Sequence, residues 1–302
     1  MLPSLPLPFF LPNPYFPGHE AFSVQRDWEW RAGVGVFSCF ARAVGGHGEL
    51  RRGDGPGAGG DSGGFGELEL FLDPDLGSPG ERGVWTSDGL CAPGDSPEGA
   101  LPRIQEAVGA ALRGGSFPLL LGGEHTVSVG AFAALAESGR DVGVVQVDAH
   151  ADLREEYEGS RWSHACVMRR AVELSLPVFQ VGVRAMCREE HEFRRQARIP
   201  HLDGKTALKR GVHGPMLPKD FPREVWLTFD VDGLDPSLMP ATGTPVPGGL
   251  DWRLAMAVLD RIGLEDRRLL GADVVELAPI TGLHHPDFTA ARLCYEIMGR
   301  VG

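Results

Sequence analysis

From about residue 96 onward the chain alternates between stretches with helical spacing of apolar positions and short unbroken apolar runs. Ser96-Pro97-Glu98 reads as a helix start and Gly114-Gly115 as its stop. Apolar runs at 118–121, 142–147, 178–183, 225–229 and 269–275 predict strands. Helical stretches near 127–138, 164–175, 189–198, 251–263 and 287–299 separate and follow them. Strands that are apolar throughout, rather than at every second position, imply a mostly parallel sheet covered on both faces, and so an α/β fold. No repeat and no linker divides this part.

Residues 1–66 lack that rhythm, being proline-rich to residue 17 and glycine-rich from 45 to 66. Composition alone reads them as a flexible extension. The first 16 residues are apolar, but they have no basic start, and prolines at 3, 6, 8, 12 and 14 break the helix a signal peptide needs. Export is not expected. No later apolar run approaches the ~20 residues of a membrane-spanning helix.

At 302 residues with 42% hydrophobic composition the chain can bury a sizeable core, and its formal charge of −12 opposes attraction to nucleic acid or anionic membranes while favouring cationic ligands. Cys39, Cys91, Cys166, Cys187 and Cys294 form an odd, scattered set without a CxxC pair. That set fits neither a disulfide framework nor a zinc knuckle, and it points to a reducing, cytoplasmic setting.

Candidate chemistry gathers at the ends of three predicted strands. The run at 142–147 leads into Asp148-Ala149-His150-Ala151-Asp152, the run at 225–229 into Asp230-Val231-Asp232, and the run at 118–121 into Gly122-Gly123-Glu124-His125. Ligand-type residues at every second position project to one side of an extended backbone, and carboxyl ends of strands are where open α/β sheets bind. His125, Asp148, His150, Asp152, Asp230 and Asp232 are therefore candidate metal ligands. Four aspartates packed together repel unless neutralised, and two divalent cations balance them. An oxygen-rich set with two imidazoles and no thiolate suits Mn2+, with Co2+ or Mg2+ as alternatives. Such a pair, about 3.5–4 Å apart, lowers the pKa of a bridging water and makes it a nucleophile.

These residues resemble the ureohydrolase family of arginases and agmatinases. Matching stretches include Gly122-Gly123-Glu124-His125, Asp148-Ala149-His150-Ala151-Asp152, Ser163-His164, Asp230-Val231-Asp232-Gly233-Leu234-Asp235-Pro236, Ala241-Thr242-Gly243-Thr244-Pro245 and Asp273-Val274-Val275-Glu276, in family order over most of 67–302. The resemblance implies a three-layer α/β/α sandwich of the arginase/deacetylase type around a manganese pair. It also implies that His125 and Asp152 bind one ion, His150 and Asp232 the other, and that Asp148 and Asp230 bridge both. Asp152 would orient the nucleophile, His164 shuttle a proton to the leaving amine, and Glu276 pair with the substrate guanidinium, bidentately if its geometry allows. The implied reaction converts a guanidino compound and water to urea and an amine, in an enzyme whose relatives are commonly trimers or hexamers.

The Ser-Gly-Asn segment by which arginases read an α-amino acid is absent, and Glu158-Gly159-Ser160-Arg161-Trp162-Ser163-His164 stands there. This favours agmatine, with putrescine as product, over guanidinobutyrate or arginine; Glu155, Glu156 and Glu158 are candidates to receive its distal ammonium. Ala165 follows His164 where His-Gly is usual, Thr228 replaces the common serine, and Ala278 stands where many members have asparagine. A catalytically silent polyamine-binding homologue is the alternative from another class, and the complete ligand set argues against it.

Family members open with a strand and a glycine-rich segment that this chain lacks before residue 67. Degenerate codons for 49–66, read one base forward, permit S-Y-G-G-G-T-G-Q-G-P-A-A-I-L-E-A-S at every position, close to that missing segment. The expectation is a shifted frame ahead of a catalytic domain at 67–302, and a sheet edge left uncovered by loss of the first strand.

Overall fold

The computed structural model describes residues 37–42, 68–69, 71–82, 84–87, 90–91 and 95–301. Residues 49–66, on which the shifted-frame expectation falls, lie outside the described residues. Eight strands form one sheet: β1 (Phe37–Arg42), β2 (Val84–Ser87), β3 (Ser116–Leu121), β4 (Val142–Val147), β5 (Val178–Val181), β6 (His201–Leu202), β7 (Glu224–Asp230) and β8 (Arg268–Val275). Their order across the sheet is β2-β1-β3-β8-β7-β4-β5-β6. All pairings from β3 to β6 are parallel, whereas β1 runs antiparallel to both β2 and β3. A bare sheet edge was expected, but β3 is paired on that side by β1, a strand that precedes residue 67.

Among the described residues seven α-helices connect and flank the strands: α1 (Pro97–Arg113), α2 (Ser128–Glu137), α3 (Val167–Glu173), α4 (Arg188–Gln196), α5 (Gly204–Arg210), α6 (Trp252–Leu264) and α7 (His285–Gly299). Helix α1 begins where expected, after Ser96 with proline in its first turn, and it buries Ala100, Ile104, Val108 and Ala111 as one stripe. Alternate strand residues separate two cores. Val145, Val147, Leu227 and Phe229 pack with Leu254, Val258 and Ile262 of α6 and with Leu293 and Ile297 of α7. Val142, Val144 and Trp226 face the other way, toward Ile104 and Val108 of α1, Phe132 and Leu135 of α2 and Met168 and Ala171 of α3. This is the expected three-layer α/β/α arrangement. Gly271 makes room for the largest buried side chain, since a Cβ there would lie 2.3 Å from the Trp226 ring.

The chain passes from β3 to β4, two elements that lie three places apart with β8 and β7 between them. The strand order therefore turns back on itself over these four strands. A crevice at their carboxyl ends is the expected place for a ligand.

Candidate metal centre

All six expected ligands lie at that crevice. His125 opens a short 3-10 turn after β3, Asp148, His150 and Asp152 follow β4, and Asp230 and Asp232 close β7. Two sets of ligand atoms come together: His125, Asp148 and Asp230 in one, and Asp148, His150 and Asp232 in the other. Asp148 belongs to both, while Asp230, expected to bridge, joins only the first. Asp152 is in neither set, but its Oδ2 lies 3.0 Å from His125 Nδ1.

The aspartates divide their oxygens by function. Asp148 Oδ1 accepts the His150 N–H at 2.6 Å, Asp230 Oδ1 the Asp232 N–H at 2.8 Å, and Asp232 Oδ1 the Ala149 N–H at 2.9 Å. The first two bonds fold the strand ends into tight turns, and the third ties the β7 end to the β4 end. The Oδ2 atoms point the other way. Those of Asp148 and Asp230 lie 3.4 and 3.5 Å from His125 Nδ1, and that of Asp232 lies 2.9 Å from His150 Nδ1. Arg184 braces the Asp232 turn by donating to the carbonyls of Asp232 (2.6 Å) and Val246 (2.8 Å). Gly182, at φ 89°, lies so close to Asp148 that a Cβ would sit 3.0 Å from the Asp148 carbonyl oxygen.

The electrostatics of the set follow from burial and from the crowding of its charges. Burial and the neighbouring Asp232 and Asp148 carboxylates push Asp230 well above the usual carboxylate range. Burial and the Asp148 charge push Asp152 up to about 7, and Asp232 is raised for the same reasons. Asp148 goes the other way: burial opposes its charge, but His125 and His150 more than compensate. His150 likewise resists burial and is pushed up to about 11 by Asp148 and Asp232. His125 Nδ1 is buried with no hydrogen-bond partner although three carboxylate oxygens surround it. A divalent cation between these oxygens and that nitrogen would satisfy all of them, so the donor set fits the ions that the sequence implies.

Two further expected residues border the ligands. Glu276 ends β8 with φ 64°, and Asp152 has φ 53°; both lie in the left-handed region that side chains rarely enter. The Glu276 N–H donates to the Gly123 carbonyl at 2.7 Å, and its Oε1 accepts the His125 N–H at 2.6 Å. One of its two oxygens is therefore engaged before any substrate arrives, a constraint on the bidentate pairing that sequence suggested. Burial pushes the Glu276 carboxyl up to about 7. His164 sits edge-on to Tyr157, ring centroids 5.6 Å apart, and is held by Glu124, which accepts its backbone N–H at 3.0 Å with Nδ1 3.4 Å away. That contact raises the His164 pKa, aided by the charges of Glu276 and Asp152. Of the acidic loop, Glu155 already pairs with Arg169 and Arg170, while Glu156 and Glu158 are exposed.

Sequence reasoning overlooked Arg184, Gln146 and Gln180, quoted Glu124 and Asp273 only within matching stretches without a role, and noted Thr228 only as a replacement. The available signal was their position. Gln146 and Thr228 stand two residues before Asp148 and Asp230 and so share a face with them.

A model of the arginase family matches residues 72–299 of the chain. An N(1)-aminopropylagmatine ureohydrolase from Synechocystis is 33% identical over 249 residues, covering 78% of this chain and 79% of that protein. An agmatinase from Bacillus subtilis is 34% identical over 232 residues, 75% of this chain and 76% of its own. Among solved structures, the agmatine ureohydrolase of Thermoplasma volcanium superposes with a TM-score of 0.60 at 31% identity, covering 68% of this chain and 69% of that one.

Proposed function

Since the chain belongs to the arginase family, we propose that it hydrolyses agmatine to urea and putrescine, with its catalytic unit at 67–302 completed by β1. The observation that carries this reading is the convergence of His125, Asp148, His150, Asp152, Asp230 and Asp232 at the carboxyl ends of β3, β4 and β7, with Glu276 just beyond β8. Hydrolysis of a guanidino compound is common ground among the relatives. The choice of agmatine rests on agmatinases at 34–35% identity and on the absence of the arginase-type Ser-Gly-Asn segment.

His125 and Asp152 would hold one ion, His150 and Asp232 the other, and Asp148 and Asp230 would serve both, with Mn2+ in the first instance and Co2+ or Mg2+ as alternatives. When bound, these ions supply Lewis acidity and a water of lowered pKa. Glu276 offers its carboxylate to the cationic guanidinium and orients the central carbon. Asp152 holds the attacking water oxygen. His164, whose pKa is raised by Glu124, is the group that delivers a proton to the departing amine nitrogen as the C–N bond breaks. A cytoplasmic setting is part of this proposal, as is assembly into trimers or hexamers. Among the described residues no helix is long and apolar enough to cross a membrane.

A second substrate has specific support: relatives at 33–34% identity from Synechocystis and Thermus thermophilus are N(1)-aminopropylagmatine ureohydrolases. Urea release should be measured from agmatine, N(1)-aminopropylagmatine, arginine and guanidinobutyrate with Mn2+-loaded protein and an Asp148→Ala control. The expected result is metal-dependent urea, greatest from agmatine and lost in the control. Preference for the aminopropyl compound would replace the substrate, and silence toward all four in folded, metal-loaded protein would favour a polyamine-binding homologue.

A further inference from the structure

Beneath the ligands, four buried polar residues stand in one register row across neighbouring strands: Gln180 on β5, Gln146 on β4, Thr228 on β7 and Asp273 on β8. Buried polar groups in a sheet otherwise built of valine and leucine need a reason. One half of the row serves Asp148. Gln180 Nε2 donates to Gln146 Oε1 at 2.5 Å, and Gln146 Nε2 donates to Asp148 Oδ2 at 2.7 Å. The other half forms a chain leading to His125. Trp226 Nε1 donates to Asp273 Oδ2 at 2.6 Å, Thr228 Oγ1 donates to Asp273 Oδ1 at 2.6 Å, and His125 Nε2 lies 2.8 Å from Thr228 Oγ1.

We infer that Thr228 and Asp273 are positioning residues that hold the His125 ring with its proton on Nε2, and so set the affinity of the ion at His125 without setting that of its neighbour. The inference rests on the reading of the site as a two-ion centre. A hydroxyl has a single proton to give. With the Thr228 proton committed to Asp273, Thr228 can offer His125 only a lone pair, and Nε2 must be the donor. The proton location on one ring nitrogen is set by the bond the other makes, which frees Nδ1 to bind metal. Nδ1 is the buried nitrogen surrounded by Asp148, Asp152 and Asp230. Nothing in this chain of bonds reaches the second ion: among the described residues no hydrogen bond joins Thr228 or Asp273 to His150 or Asp232. Satisfying the Trp226 indole would account for Asp273 alone, but not for a threonine hydroxyl placed between that carboxylate and a ligand.

Stepwise Mn2+ binding, followed by calorimetry and by the spin resonance of free Mn2+, tests this on the full chain. Wild type should bind two ions. Thr228→Val, which keeps shape and removes the hydroxyl, should weaken one step by about 10–100-fold and leave the other in place; Thr228→Ser should restore both. In a His125→Ala background, adding Thr228→Val should not change the affinity of the remaining ion. Equal weakening of both steps, no weakening, failure of serine to restore, or a further loss in the His125→Ala background would each overturn the inference. A measurement on wild type guards against a valine variant that does not fold: with the diamagnetic ion Zn2+ bound, ring-nitrogen resonances should place the His125 proton on Nε2, and a proton on Nδ1 would overturn the inference equally. Absence of any bound Mn2+ in folded wild type would remove the two-ion reading and this inference together, whereas two ions bound alike in wild type and Thr228→Val remove the inference alone.

Discussion

The two faces of the central strands carry opposite chemistry. Toward α6 and α7 they present Val145, Val147, Leu227, Phe229, Ala272 and Val274, apolar to the end. Toward α1, α2 and α3 they begin as apolar, with Val144 and Trp226, then pass through Gln146, Thr228 and Asp273 to Asp148 and Asp230. The first face stabilises the fold by removing apolar area from water, on the order of 25 cal/mol per Å2. The second gives up part of that stabilisation to hold like charges side by side. Because a strand alternates its side chains, both tasks are done by adjacent residues of one segment.

Phe229 and Asp230 therefore offer the sharpest test, being neighbours that point to opposite faces. Asp230→Ala should reduce urea release to the level of metal-free protein, yet raise the melting temperature of the metal-free form, because it removes a buried carboxylate that its neighbours repel. Unchanged turnover would break the comparison at once. Phe229→Ala should do the reverse, costing about 3–5 kcal/mol of stability while folded protein still binds two ions; a denaturant titration paired with metal analysis reads both quantities.

The smallest expected effect is a dependence on pH. Asp152, Asp230, Asp232 and Glu276 have folded-state pKa values raised above their unfolded ones, with Asp152 and Glu276 at about 7. Over that window the metal-free folded state binds more protons than the unfolded state, so its stability falls as pH rises. His150, at about 11, binds a proton more tightly when folded and acts in the same direction above the unfolded histidine value. Asp148 is ionised in both states there and contributes a constant. Metal-free protein should thus melt at progressively lower temperature from about pH 5 to about pH 8, and Mn2+ should raise the melting temperature most at the alkaline end, where protons no longer compete for the ligands. A metal-free melting temperature that climbs over this range would mean that the carboxylates are not repelling one another as described.

Much of this division was legible in the sequence, and the remainder was not for identifiable reasons. Strand β4 was readable to the residue because its apolar run ends abruptly in alternating ligands, and α1 because Ser96-Pro97 and Gly114 mark its ends. Strand β6 has two residues and β2 four, too few to show a period. Strand β1 sits within a segment whose composition looked unstructured, and its place depends on pairing with β3, a contact no local pattern encodes. The six ligands could be read one strand at a time, since each cluster is continuous in sequence. The row beneath them could not: Gln146, Gln180, Thr228 and Asp273 are isolated interruptions of apolar runs, and only the register of four strands turns them into a unit.

The left-handed backbone at Asp152 and Glu276 has a consequence for any attempt to make the protein hardier. Glycine accepts that conformation without cost, whereas a side chain held there carries a penalty of roughly 1–3 kcal/mol. Directed evolution for heat tolerance, scored without an assay of turnover, would find Glu276→Gly and Asp152→Gly rewarding. It would then select a sturdier scaffold from which the proposed guanidinium anchor and a proposed metal ligand had been erased.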